Sequence, residues 1–207
     1  MKHNNAAISK WNKSLVSYDN YQIYIKQKRE RFDLKLIDLL YISNFKGGNS
    51  TINEKEISVN QKLISYSILL KAIEDAFNLK ELSQLSNEEI MELISKVNII
   101  CNLTHKDTNT KIDGFSVSYL SALLSSYFPN LIPILDRRVL MNLNLVVKDD
   151  IDWARQIKTN TIQTFYPLLI LEIAKRSKNQ QKTIREIDKE LFIIRLPEWA
   201  RPKKNKE

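Results

Sequence analysis

Three glycines and five prolines in 207 residues leave this chain little of the punctuation that a β-rich fold needs. Sheets reverse direction every few residues, and their tight turns depend on Gly, Asn and Pro at set positions. The recurring pattern here is apolar residues three and four positions apart, which marks one face of a helix. Residues 87–101 put Ile90, Leu93, Ile94, Val97 and Cys101 on one face, and Ser86 with Glu89 makes a capping-box pair at the start. The segment 61–77 carries Leu63, Leu70, Ile73 and Phe77 at similar spacing. Residues 165–176 and 184–195 close the chain, the latter with Ile184, Ile187, Leu191 and Ile194. The expectation is an all-α protein. Loops are expected at 44–60, where Gly47-Gly48-Asn49 must turn, and at 104–110.

The third glycine heads the most informative stretch, 111–139, KIDGFSVSYLSALLSSYFPNLIPILDRRV. Asp113-Gly114 is a turn signal, because glycine takes positive φ without steric cost. A polar approach, read as helical, precedes it. Val117, Leu120, Leu124 and Tyr127 follow at spacings of three, four and three, one face of a helix of about three turns. Ser116 stands at the N-cap position of that helix. Pro129 and Pro133 end it, and Ile134-Leu135 bury the chain before Asp136. Asp136 is an N-cap candidate for a further helix with Val139, Leu140 and Leu143 as its apolar face. The pattern is helix, tight hairpin, helix.

Composition narrows the partners. A chain of this length suits one compact unit, here taken as 1–200, with 201–207 as a basic flexible tail. No run of about 18 uncharged apolar residues exists to cross a bilayer, and the amino terminus lacks the continuous apolar segment of a secretory signal. The single cysteine, Cys101, can form no internal disulfide, so a reducing cytoplasm is the expected compartment. A net charge of +8 points to a polyanionic partner. His3 and His105 are isolated, and neither a metal-ligand cluster nor a P-loop nor a dinucleotide fingerprint is present, so no metal and no cofactor are expected.

Gly114-Phe115-Ser116-Val117-Ser118 resembles the hairpin of the helix-hairpin-helix DNA glycosylases, the superfamily of endonuclease III, the adenine glycosylase and the 8-oxoguanine glycosylases. There a hairpin of the type L-P-G-V-G-x-[K/S]-T-A is followed by a helix, a short loop and the catalytic aspartate. Ser118 falls at the position that is lysine in the bifunctional lyases, and Asp136 lies 18 residues later, where the family's aspartate stands. Ile132-Pro133-Ile134-Leu135-Asp136 is similar to the adenine-glycosylase version. The resemblance is specific over 111–140 and compatible over 79–110. It departs at Ser116, which replaces the second hairpin glycine, and in the lack of a four-cysteine iron–sulfur cluster.

The resemblance implies a two-lobed helical fold with the active site in the interlobe cleft and the hairpin and catalytic segment at 96–145. It implies a cytoplasmic monomer, nucleoid-associated if bacterial, that binds double-stranded DNA and hydrolyses the N-glycosidic bond of a damaged or modified base. Asp136 would stabilise the oxocarbenium-like sugar and orient the attacking water. Backbone N–H groups of Gly114, Ser116 and Ser118 at a helix start would hold a phosphate. The hairpin residues Phe115 and Val117 and the flanking Arg137 and Arg138 complete the expected DNA-binding set. With Ser118 in place of lysine, no hairpin amine is present to form a Schiff base, so the enzyme is expected to be monofunctional. Lys106, Lys111 and Lys148 are other amines, none favoured.

Trp11, Tyr18, Tyr21 and Tyr24 are candidates for stacking on a flipped base, and Asn44 or Phe45 for the wedge that fills the vacated gap. Lys26, Lys28, Arg29 and Arg31 form the densest internal basic run and read mostly as solvated charge. Arg185 and Asp188 read as a surface or interlobe ion pair. Two other readings stay open: a helix-hairpin-helix DNA-binding relative with altered chemistry, and an all-α interaction module in which the hairpin is a plain turn and Asp136 a plain cap.

Overall fold

The computed structural model describes residues 4–48, 51–152 and 162–201. The basic tail from 202 onward, Asn49 and His3 lie outside the described residues. The main elements are helices: α1 (Asn5–Gln27), α2 (Leu36–Phe45), α3 (Glu56–Phe77), α4 (Asn87–Asn102), α5 (Val117–Tyr127), α6 (Arg137–Asn142), α7 (Tyr166–Gln180) and α8 (Ile184–Ile193). The all-α expectation is met among the described residues, and none of their helices is long and apolar enough to cross a membrane.

Local chemistry sets the boundaries. Ser86 and Glu89 close the capping box of α4, and Thr183 with Glu186 does the same for α8. The spacing of Val117, Leu120, Leu124 and Tyr127 coincides with α5, all four being buried. The expected 44–60 loop is shorter than its sequence suggests. Helix α2 runs through Phe45, and α3 starts at Glu56, so only the middle of that stretch lies between helices. Gly47 and Gly48 turn there with φ of 95° and 70°.

The helix expected before Gly114 is absent. Helix α4 stops at Asn102, and 103–116 is a chain of turns. The cause is the hydroxyl-rich sequence. Thr108 and Thr110 donate from Oγ1 to the Leu103 carbonyl, each at 3.1 Å, and Tyr66 donates to the same oxygen at 2.9 Å. Side chains that bond nearby backbone offer it an alternative to the helical ladder.

One contiguous core runs from Tyr21 on α1 to Ala200, and a small satellite of Ala7, Trp11 and Phe192 joins α1 to α8. Helix α1 packs on α2, α5 and α8, α3 on α4, α4 on α7, and α6 on α8. Asp38, fully buried on α2, ties three helices together. Its carboxylate accepts from Tyr21 at 2.9 Å, from Tyr127 at 3.2 Å and from Lys28 Nζ at 3.0 and 3.1 Å, and Lys28 is itself only 7% exposed. Lys28 is therefore a buried ion-pair partner, not solvated charge. Arg31 donates to the Tyr127 carbonyl and pairs with Glu74, while Lys26 and Arg29 are exposed.

Candidate functional site

The site starts at the hairpin. Gly114 has φ of 82°, a left-handed conformation that side chains with a Cβ resist. The turn is pinned from both sides. Lys111 Nζ donates to the carbonyls of Ile112 and Phe115, and Asp113 N–H donates to Glu54 at 2.7 Å. Lys111 is thus a structural staple of the turn. Burial lowers its amine from the ordinary lysine range.

Gly114 and Ser116 are exposed, whereas Phe115 and Val117 point inward, Phe115 edge-on to Tyr66 with ring centroids 6.0 Å apart. The expected DNA contacts of Phe115 and Val117 are therefore not side-chain contacts; these two anchor the turn to the core. Ser116 is the N-cap residue of α5 but its hydroxyl makes no cap bond. Ser116, Val117 and Ser118 open α5, where the first backbone N–H groups have no acceptor within their own helix. They are the orphan donors of a helix start, which favour an anion.

Ser118 and Ser121, one turn apart on α5, hold the next segment. Ser118 donates to the Leu135 carbonyl at 3.2 Å, and Ser121 accepts from Leu135 N–H at 2.9 Å. Leu135 is thereby fixed, and Asp136 follows it as N-cap of α6. Asp136 Oδ1 accepts from Arg138 N–H at 2.7 Å, so the expected cap is present. Its other oxygen faces a pocket, where Lys46 Nζ lies 3.8 Å from Oδ2.

That pocket is lined by Lys10, Trp11, Ser14, Phe45, Lys46, Ile134, Asp136, Arg185, Asp188 and Phe192. It brings Asp136 together with two of the expected base-contacting residues, Trp11 and Phe45. Both are walls: Trp11 packs on Phe192 and Phe45 on Tyr18. Phe45 is only 7% exposed, so it is not a protruding wedge; Asn44 beside it is exposed and donates to Ser17. Tyr21 belongs to the Asp38 network with no exposed surface, which removes it from any stacking role. Tyr24 stacks on Tyr41 away from this pocket.

The Arg185–Asp188 pair is not a surface bridge. The Arg185 guanidinium lies over Trp11 at 4.1 Å and over Tyr18 at 4.7 Å, and Nη1 donates to Asp188 Oδ2 at 2.9 Å. Its buried Nε and Nη2 have no hydrogen-bond partner among the described residues. Burial raises the Asp188 carboxyl to about 6; Arg185 and Lys46 oppose the rise, and the charge of Asp136 adds to it. Two carboxylates in one pocket thus have different environments, one buried and one at the pocket surface.

The two arginines after Asp136 part company. Arg138 donates from Nε to Phe192 O at 2.8 Å and from Nη2 to Ile194 O at 3.0 Å, capping the last carbonyls of α8. Burial lowers its pKa. It holds α6 against α8 and is not placed to contact DNA phosphates as expected. Arg137 is half-exposed. Cys101 is buried in the core, its thiol pushed up to about 12, and is inert. No group of three or more His, Cys, Asp or Glu placed to hold a metal occurs among the described residues.

Lys46, Ser121, Arg185 and Asp188 are the site residues that sequence reasoning missed or misplaced. Asp188 carried a usable signal: it lies on the same face of α8 as Ile184, Ile187 and Leu191. A carboxylate on an apolar stripe must be paired or have its proton affinity raised. Lys46 carried none. No protein-family model, curated protein or solved structure matches the chain.

Proposed function

We propose that this protein is a DNA glycosylase of the helix-hairpin-helix type, a cofactor-free monomer that flips a damaged or modified base from duplex DNA and hydrolyses its N-glycosidic bond. The observation that carries the reading is the two-sided placement of Asp136. One oxygen caps α6 while the other lines a pocket with aromatic walls and the cations Lys46 and Arg185. A carboxylate used only as a cap has no need of such a pocket.

In this reading the exposed hairpin end of α5 holds a DNA phosphate through backbone N–H groups, a contact that reads no sequence. The sugar lies at Asp136 Oδ2, whose charge stabilises the oxocarbenium-like state and orients water at C1′. Trp11 and Phe45 form apolar walls beside the leaving base. The interlobe cleft of the family plan corresponds to the meeting of α1, α2 and α8 with the Leu135–Asp136 segment.

The test is a release assay on duplexes bearing a panel of damaged and modified bases, reading free base by mass spectrometry. The parent releases at least one base, and Asp136→Asn lowers the rate by about 10²–10³-fold or more while keeping DNA affinity. Equal rates in parent and variant would reduce Asp136 to a helix cap. Ser116, in place of the flexible second glycine, favours a second reading, a DNA-binding relative with altered chemistry. Tight duplex binding with no release across the panel selects it.

A further inference from the structure

Arg185 is the one described residue with buried side-chain donors, Nε and Nη2, that lack a hydrogen-bond partner. Buried donors left unpaired are costly, so something else must hold the guanidinium where it is. Nη1 donates to Asp188 at 2.9 Å, which fixes one corner of the group. The rest is held by aromatic faces, with Cζ 4.1 Å from the Trp11 ring centre, 4.7 Å from Tyr18 and 5.5 Å from Phe45. Trp11 and Tyr18 are seven residues apart, two turns along one face of α1, and Phe45 comes in from α2 to pack on Tyr18. A flat cation thus fills a slot made of three rings.

The open part of the pocket beside that slot is too small for a nucleobase. Its volume is about 60 Å³, whereas an engineered cavity that binds benzene measures about 150 Å³, and every nucleobase is larger than benzene. A base seated against Trp11 therefore needs room that a side chain now takes. Arg185 is that side chain: it lines the pocket and also touches Tyr18, which does not line it.

We propose that Arg185 is a stand-in for the base: in the free protein its guanidinium fills the slot formed by Trp11, Tyr18 and Phe45, and a flipped base displaces it and stacks there. This rests on the glycosylase reading, which brings a base to the Asp136 pocket.

The exchange suits both partners. Aromatic faces accept any base, because every base has a π-face. The displaced guanidinium loses its ring contacts but regains acceptors for Nε and Nη2 in water. Its long unbranched side chain, at the start of α8, swings without moving the backbone. The filled slot also sets a threshold, since only a base that stacks better than the guanidinium stays in place.

The experiment uses the full chain and two duplexes, one with 2-aminopurine opposite cytosine and one with a tetrahydrofuran residue, which has no base, in its place. In the free protein the NMR signal of the Arg185 Nε–H is displaced by the ring current of Trp11. The 2-aminopurine duplex should abolish that displacement, and the tetrahydrofuran duplex should leave it. Arg185→Ala should tighten binding of the 2-aminopurine duplex, relative to the tetrahydrofuran duplex, by about 3–30-fold, the usual strength of the competing cation–π contact. The NMR measurement is made on the parent protein, so a poorly folding variant does not blunt the test. Binding of both duplexes with the Arg185 signal unmoved, or moved alike by the two, overturns the stand-in and leaves base excision standing. A folded Arg185→Ala protein that loses affinity for both duplexes equally does the same. Binding of neither duplex to the parent overturns the glycosylase reading and the stand-in together.

Discussion

Asp188 gives the sharpest test of how the pocket is built. Its carboxyl is raised from 3.8 to about 6, mainly by burial, with Asp136 adding to the rise and Arg185 and Lys46 opposing it. An acid with a raised folded-state pKa binds its proton more tightly folded than unfolded. Its contribution to stability is present below about pH 4 and is lost as pH rises to about 6. Each tenfold change in proton affinity is about 1.4 kcal/mol, so the loss across this window is about 2–3 kcal/mol. Asp188→Asn cannot titrate, but its amide oxygen can still accept from Arg185. Urea unfolding of parent and variant between pH 4.5 and 7.5 isolates the effect, because groups uncoupled to position 188 cancel in the difference. The difference at any one pH also contains the exchange of a carboxylate for an amide as the partner of Arg185, so the diagnostic is the slope. Relative to the variant, the parent should lose about 2 kcal/mol between pH 4.5 and 7.5, the rest of the effect lying at lower pH. The same comparison in an Asp136→Asn background should give a smaller change, since one of the causes is gone. A gap that stays constant with pH would refute the buried placement of Asp188 beside Asp136.

Gly114→Val should weaken duplex binding and cost about 1–3 kcal/mol of stability, because a β-branched residue is forced to positive φ; affinity must be compared at equal folded fraction, and an unchanged melting temperature would count against the turn geometry. Asp38→Ala should destabilise by about 3–5 kcal/mol in urea unfolding, since it leaves the Lys28 ammonium buried without its counter-charge. Duplex affinity should fall linearly with log salt, as expected when phosphate contacts displace counterions, and show no strong sequence preference. Binding that is flat across a salt titration would argue against a backbone-reading surface.

What the sequence made legible was local. The limits of α5 follow from the spacing of four apolar residues, the starts of α4 and α8 from their capping boxes, and the Asp136 cap from a carboxylate after an apolar run. The turn at Gly114 was visible for the same reason. The approach to it was misread because polar residues suit a helix surface in composition, whereas threonine hydroxyls here bind the Leu103 carbonyl instead. Lys28 was hidden in a run of cations. Its register with Tyr21 and Ile25, at seven and three residues, is that of the buried face of α1. The pocket was the least legible part, because α1, α2, α6 and α8 bring it together over most of the chain and no short-range pattern encodes their meeting.

The paired serines on α5 turn the hairpin and the carboxylate into a single mechanical part. Ser118 and Ser121 grip both polar groups of Leu135, so Asp136 cannot move along the chain without dragging the first turn of α5, the turn that Gly114 launches. The interval between the exposed N–H groups and the carboxylate is therefore a fixed gauge. A ligand seated on the helix start would have its reacting carbon set at one distance along its backbone, and shaving Ser121 to alanine would blur that gauge while leaving every charged group of the pocket in place.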